Sequence, residues 1–216
     1  MRKAPLVNDL YYHIYNRGVD KRDIFKNKRD IDRFLFSMEF FQYEEAVGSV
    51  RDLKRNLADV RRLQKGQKLV SIVEYCLNPN HFHFILKQEV DGGISEFMKR
   101  LSGGYTKYFN EKYKRSGALF QGKFKSSLIE TDNYLNLLLA YVMWNYRVHD
   151  IPKSKINLIK SSEDEYVTGR FEIVDRKEAE YFIGMFGGFS NFKNNANEMI
   201  NFVREGRGKE VFEYQD

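Results

Sequence analysis

The chain has 216 residues, of which 42% are hydrophobic and 31% are charged, and its formal net charge is +6. This composition is typical of a globular domain and argues against a disordered chain. No apolar run approaches the roughly 18–20 residues of a membrane span, and the single Cys76 excludes a disulfide framework or a cysteine-rich zinc site. The basic N-terminal segment lacks the apolar stretch of a secretory signal, so we expect a cytoplasmic protein.

The first half of the chain alternates between strand and helix patterns. In chain order it predicts a strand over 10–16, a helix over about 28–43, a charged insertion over 44–68 and a hairpin of strands 69–77 and 81–88. The hairpin follows from two β-rich runs that are separated only by Asn78-Pro79-Asn80. The insertion is either helical or a long basic loop, because its charges show no clear period.

The second half adds one strand and several helices. It predicts a helix from about 94 to 108, a strand over 120–130, a buried helix over 133–148 capped by Thr131 or Asp132, and two short helices in 151–216. The order β-α-β-β-α-β indicates an α+β fold with a ferredoxin-like antiparallel sheet and helices packed on one face. We therefore divide the chain into a domain over 1–150 and a C-terminal helical extension over 151–216.

Positive charge is concentrated in the first of these two parts. Residues 1–150 carry 26 Lys and Arg against 18 Asp and Glu, a net +8, whereas residues 151–216 carry 10 against 12, a net −2. Within residues 99–126, eight basic residues oppose only Glu111, and six aromatic residues are interleaved with them. This pattern suits a nucleic-acid surface, in which cations neutralise phosphates and rings stack on bases. A solvated helix face above core aromatics explains the charges equally well.

Two histidines share one strand. His81 and His83 are two residues apart, so their side chains leave the same face while Phe82 points to the other. Two adjacent imidazoles can bind a divalent metal ion. The alternative is that both histidines simply occupy a half-exposed strand face.

The third helix carries two further polar candidates. Tyr141 and Asn145 are one turn apart and share a helix face, and Tyr134 lies near the same stripe. An amide oxygen suits Mg²⁺ or Mn²⁺, and a phenol can act as a covalent nucleophile. Taken alone, a tyrosine on a buried helix is more often a packing residue, since the chain has 14 of them.

Four segments together resemble a known family. They are LYYHIYNRGVDKRDIF, YCLNPNHFHFIL, FMKRLSGGYTKYFNEKYKRSGALFQGKFKS and YLNLLLAYVMWNYRVH, within about residues 6–150. In this order they resemble the single-tyrosine HUH transposases, and among those the REP-associated tyrosine transposase branch. The family's Asn-Pro step is replaced here by Asn145-Tyr146, a difference expected to affect the end of the helix.

The resemblance implies a function and a set of site residues. It implies a ferredoxin-like catalytic domain in which His81 and His83 bind Mg²⁺ or Mn²⁺, Asn145 is the third ligand and Tyr141 is the nucleophile. The implied reaction cuts and rejoins single-stranded DNA through a 5′-phosphotyrosine intermediate. The implied partner is hairpin-bearing DNA, such as a REP-like or insertion-sequence end, which places the protein at the nucleoid. Monomer and homodimer both remain open.

Candidate DNA contacts come from the basic stretch and from the turn after the first strand. They are Arg17, Lys21, Arg22, Lys107, Lys114, Arg115, Lys123 and Lys125. Two other functions remain as alternatives. A non-catalytic single-stranded nucleic-acid-binding protein could use the same fold, and a metal-dependent hydrolase would release its product without a covalent adduct.

Overall fold

The computed structural model describes residues 5–45, 66–149 and 151–205. Most of the insertion predicted over 44–68 therefore lies outside the described residues. The strands are β1 (Tyr11–Arg17), β2 (Val70–Asn78), β3 (His81–Gln88), β4 (Lys125–Leu128) and β5 (Lys160–Ser161). The α-helices are α1 (Lys28–Phe41), α2 (Gly93–Lys112), α3 (Asp132–Met143), α4 (Asn145–Val148), α5 (Glu163–Thr168), α6 (Arg176–Met185) and α7 (Phe189–Arg204).

The five strands form one antiparallel sheet in the order β4-β1-β3-β2-β5. Its first four positions are those of a ferredoxin-like sheet, so the predicted α+β fold class is confirmed. β5 extends the sheet beyond β2, where Lys160 pairs with Leu77 and Ser161 with Cys76. The C-terminal part of the chain thus adds a short strand as well as the predicted helices.

Helices cover both faces of the sheet. Phe82 and Phe84 on β3 pack against Phe34 of α1, and Phe34 in turn meets Tyr105 of α2 edge to face. Since neighbouring strand residues point in opposite directions, His81 and His83 face the other side, where Asn145 of α4 lies. The expectation of helices on one face holds for α1 and α2, whereas the third predicted helix covers the opposite face.

Two predicted elements differ in extent from those observed. The strand expected over 120–130 is confined to Lys125–Leu128, because Gly122 adopts a φ of +78° and interrupts the extended backbone. The helix expected over 133–148 is divided by Trp144, whose backbone has φ −112° and ψ 28°, into α3 and α4. Thr131 caps α3 as predicted, since its side chain accepts a hydrogen bond from the Tyr134 N–H.

The C-terminal helices complete the covering of the second face. The fully buried Trp144 ring packs against Phe192 and Phe189 of α7, with centroid distances of 5.4 and 6.3 Å. Tyr11 of β1 meets Phe182 of α6 edge to face. Among the described helices, none has both the length and the apolar character needed to cross a membrane.

Candidate active site

The site is built on the sheet face that α3 and α4 cover. In the register of β1 and β3, Tyr15 lies opposite His83 and Arg17 lies opposite His81. Side chains on this face therefore come from alternate residues of both central strands. The predicted shared orientation of His81 and His83 is observed, with ring centroids 5.2 Å apart and the rings edge to face.

A third histidine, which the sequence analysis did not select, lies directly behind His83. His13 Nε2 is 2.8 Å from His83 Nδ1, and the two rings are nearly parallel. Burial lowers the pKa of His13 to about 3 and holds the pKa of His83 well below its usual range, so both rings are neutral near pH 7. One proton is therefore shared between these two nitrogens, and each ring has one unprotonated nitrogen.

Hydrogen bonds fix the orientation of His81. Asn80 donates from Nδ2 to the Lys21 carbonyl at 3.2 Å, which leaves its Oδ1 to accept a proton from His81 Nδ1 at 2.6 Å. Burial lowers the pKa of His81 to about 4, so the ring is neutral. Because Nδ1 carries the proton, Nε2 of His81 presents a lone pair toward the site.

The side-chain oxygen of Asn145 places a second lone pair beside that of His81 Nε2. Its Oδ1 lies 3.0 Å from His81 Nε2, and Asn78 Nδ2 lies within 3.0 Å of both atoms. Two acceptors this close are stabilised by a shared donor or by a cation between them. The Asn145 amide nitrogen is buried and has no hydrogen-bond partner among the described residues.

Tyr141 lies on the helix face predicted for it. It is largely buried, and its ring meets His83 edge to face at 5.5 Å and His13 at 6.1 Å. Tyr141 and Asn145 thus reach neighbouring histidines despite the break at Trp144. Tyr134 is only partly buried against the core and does not line the cavity described below.

A fourth histidine completes the cluster. His149 follows α4, one turn beyond Asn145, and its ring centroid lies 4.9 Å from that of His81. One nitrogen from each of His81, His83 and His149 lies within 4.8 Å of the others. Its spacing of four residues from Asn145 is the sequence signal that indicates this position.

The donor set fits a divalent cation. Three imidazole rings and one amide oxygen provide electron-pair donors, and imidazole nitrogen is a common ligand of first-row transition metals. His81, His83 and Asn145, the predicted ligands, lie together, and His149 adds a nitrogen that was not predicted.

A cavity of about 310 Å³ opens onto this cluster. Tyr141, His81 and His83 line it together with Arg17 and Lys125. The Lys125 ammonium lies 5.5 Å from the centre of the Tyr15 ring. The cavity therefore combines aromatic surface with positive charge beside the histidines.

Residues after 150 form another part of the cavity wall. Ile151, Pro152 and Lys155 line it. Lys155 Nζ forms an ion pair with Asp23 Oδ2 at 2.6 Å, which joins this segment to the loop after β1.

The predicted DNA-binding residues occupy different environments. Arg17 and Lys125 line the cavity, whereas Lys21, Lys107, Lys114 and Lys123 are exposed outside its lining. The remaining two arginines hold local turns. Arg22 Nε donates to the Val19 carbonyl, and Arg115 Nη2 donates to the Ala118 carbonyl, at 2.9 and 2.8 Å.

Comparisons with known proteins identify one family. The family model described as "Transposase IS200 like" matches residues 6–145. No curated protein matches the chain. A solved structure of a REP-associated tyrosine transposase bound to a REP hairpin is similar over 80% of this chain and 88% of its own, with 15% identity and a TM-score of 0.46.

Proposed function

The chain belongs to the IS200-like transposase family, and we propose that it cuts and rejoins single-stranded DNA through a covalent tyrosine–DNA intermediate. Family membership assigns it a transposase role and therefore the processing of DNA. Tyr141 is the proposed nucleophile. The observation that carries this proposal is the position of its ring, which lies edge-on to His83 and lines the cavity that His81 also lines.

The proposed metal ligands are His81, His83 and Asn145, and the proposed ion is Mg²⁺ or Mn²⁺. When bound, such an ion neutralises charge on the scissile phosphate and favours ionisation of a phenol, whose ordinary pKa is about 10. The chain's own contribution is orientation. Asn80 holds the Nδ1 proton of His81, and His13 can accept the Nδ1 proton of His83, so that both rings direct unprotonated nitrogens to the site.

The proposed bond changes form a balanced transesterification. The Tyr141 hydroxyl loses its proton and its oxygen attacks phosphorus, while the bond from phosphorus to the 3′ oxygen breaks. The 3′ oxygen takes up a proton and leaves as a hydroxyl, and the 5′-phosphate stays on tyrosine. Attack by a 3′-hydroxyl on the phosphotyrosine reverses these changes and joins strands without an external energy source.

The proposed DNA path begins at the cavity and continues over the basic residues. Arg17 and Lys125 are suited to hold the phosphates next to the scissile bond, because both line the cavity. The exposed lysines Lys21, Lys107, Lys114 and Lys123 would contact the flanking strand. Arg22 and Arg115 would mainly support the turns that they bridge. The motif resemblance supports a hairpin-bearing substrate.

The wider assignments are part of the same proposal. Residues 1–150 would form the catalytic domain, and residues 151–216 an extension that also contributes Lys155 to the cavity wall. A DNA substrate would place the protein in the cytoplasm at the nucleoid. A homodimer remains a proposal that sedimentation analysis can test.

The experiment that tests the proposal detects the covalent intermediate. Single-stranded DNA carrying a candidate hairpin and a 3′ label is incubated with the protein and Mn²⁺, then separated on a denaturing protein gel. Transfer of label to the protein is expected, and a chelator should prevent it. Tyr134→Phe keeps the proposed nucleophile Tyr141, so this variant is the matched control and should still become labelled. Cleavage without labelled protein would favour the hydrolase alternative, and binding without cleavage would favour the non-catalytic binder.

A further inference from the structure

His149 extends the candidate metal site beyond the ligands that the motif implies. It follows the last residue of α4 and is exposed, and its ring meets that of His81 edge to face at 4.9 Å. The ligand nitrogens of His81, His83 and His149 form a group within 4.8 Å. The Asn145 oxygen, by contrast, is fully buried and already accepts a hydrogen bond from Asn78 at 2.8 Å.

We propose that His149 is a ligand of the divalent ion, and that its imidazole makes this site select a first-row transition-metal ion such as Mn²⁺ over Mg²⁺. This inference rests on the metal site of the proposed function. It concerns which ion the site holds rather than whether Tyr141 attacks DNA, so the two can fail separately.

The chemistry of the donor set supports this selectivity. Mg²⁺ prefers oxygen ligands and retains several waters, whereas Mn²⁺, which also binds oxygen ligands well, accepts imidazole nitrogen more readily than Mg²⁺ does. A site with two imidazoles and an amide oxygen leaves room for either type of ion. A third imidazole occupies a coordination position that a water molecule would otherwise fill. Replacement of a water ligand by a nitrogen ligand favours the transition-metal ion.

The placement of His149 permits direct coordination. Ligand atoms in a four-coordinate site with bonds of about 2.1 Å are roughly 3.4 Å apart, so nitrogens that now lie within 4.8 Å of one another must approach by up to roughly 1.4 Å. His83 is buried and held by His13, whereas His149 is exposed at the open side of the cluster. Packing of the His149 ring against His81 without coordination is the competing explanation.

Pulsed electron paramagnetic resonance on Mn²⁺-loaded protein without DNA tests the proposal, because it counts the imidazole nitrogens coupled to the ion. We expect three coupled nitrogens in the original protein and two in His149→Ala and in His149→Gln. Calorimetric titration should show Mn²⁺ affinity falling about tenfold or more in both variants, which is at least the loss seen when residues that orient ligands are removed. Mg²⁺ affinity should change less than twofold.

Lys153→Ala is the matched control, since Lys153 is an exposed neighbour outside the cavity lining, and it should leave both affinities unchanged. Equal nitrogen counts in the original protein and both His149 variants would overturn the inference, as would unchanged Mn²⁺ affinity in folded variants. Circular dichroism establishes folding. Three coupled nitrogens in a protein that forms no DNA adduct would support this inference while contradicting the proposed reaction.

Discussion

His13 and His83 share a hydrogen bond of 2.8 Å between Nε2 and Nδ1 on the sheet face that carries the candidate site. His13 is fully buried, and the two rings lie nearly parallel with centroids 5.1 Å apart. If the shared proton resides on His83 Nδ1, then His83 Nε2 has a free lone pair for a metal ion. This contact joins the buried part of β1 to the candidate metal ligands at the start of β3.

Replacing His13 should therefore weaken metal binding without direct loss of a ligand. We expect His13→Phe to lower Mn²⁺ affinity about 10–100-fold, because the Phe ring cannot accept the His83 proton. His13→Gln keeps a hydrogen-bonding side chain and should recover a large part of the affinity. Calorimetric titration measures both. Equal losses in the two variants would indicate that His13 serves only packing.

Loss of each proposed metal ligand should lower Mn²⁺ affinity by a different amount. His81→Ala and His83→Ala should each reduce Mn²⁺ affinity more strongly than Asn145→Ala, because a water molecule can replace one amide oxygen. The same titration compares the three variants. An Asn145→Ala variant that binds Mn²⁺ more weakly than His81→Ala would contradict this ranking.

Removal of the Tyr141 hydroxyl oxygen should separate strand cleavage from DNA binding. We expect Tyr141→Phe to reduce strand cleavage by at least ~10³-fold, since the proposed nucleophile is absent while the ring that packs on His83 is retained. Affinity for single-stranded DNA, measured by fluorescence anisotropy, should stay within about twofold of the original value. Retained cleavage would redirect the assignment to Tyr134 or Tyr146.

The basic residues near β4 should determine the salt dependence of binding. Each phosphate contact on a single strand contributes a log–log slope of about −0.7, so changing Lys123 and Lys125 together to Ala should reduce the slope by roughly 1.4. Changing Lys28 and Arg29 removes the same charge from exposed positions on α1, which packs on the opposite face of the sheet. That control pair should alter the slope less. An unchanged slope in the Lys123 and Lys125 variant would shift the DNA path toward Arg17, Lys21 and Arg22.

A buried carboxylate should make stability depend on pH. Asp30 accepts hydrogen bonds from the Lys26 N–H and from the hydroxyls of Tyr108 and Tyr113, and it pairs with Lys112. Burial alone would raise the Asp30 pKa, but these partners, led by Lys112, lower it below its ordinary value. The network joins α1 to α2, so it supports the core beneath the sheet.

We expect Asp30→Asn to lower the free energy of unfolding by about 1–3 kcal/mol at pH 7. Because the folded pKa lies below the unfolded value of about 3.9, the charged group stabilises the fold above that pH and loses this effect as pH falls through the folded pKa. Urea unfolding should therefore show a smaller difference at pH 3 than at pH 7. Asp32→Asn, at an exposed position of the same helix, is the control. An equal difference at both pH values would contradict the argument.

The sequence predicted those features that depend on local periodicity. Alternation placed His81 and His83 on one face, and helical spacing placed Tyr141 and Asn145 on the side of the third predicted helix that faces these histidines. His13 was not predicted because its contact depends on the register of β1 against β3, which no local pattern reveals. His149 depends on how the chain continues past the break at Trp144. β5 was missed because two residues are too short to show alternation.

Locating the residue that carries the DNA tests the role of Tyr141 directly. After incubation with hairpin-bearing single-stranded DNA and Mn²⁺, the adduct is trimmed with nuclease, digested with protease and sequenced by tandem mass spectrometry. We expect a nucleotide attached through its 5′-phosphate to Tyr141. A nucleotide on Tyr134 or Tyr146, or cleaved DNA with no modified tyrosine, would contradict it.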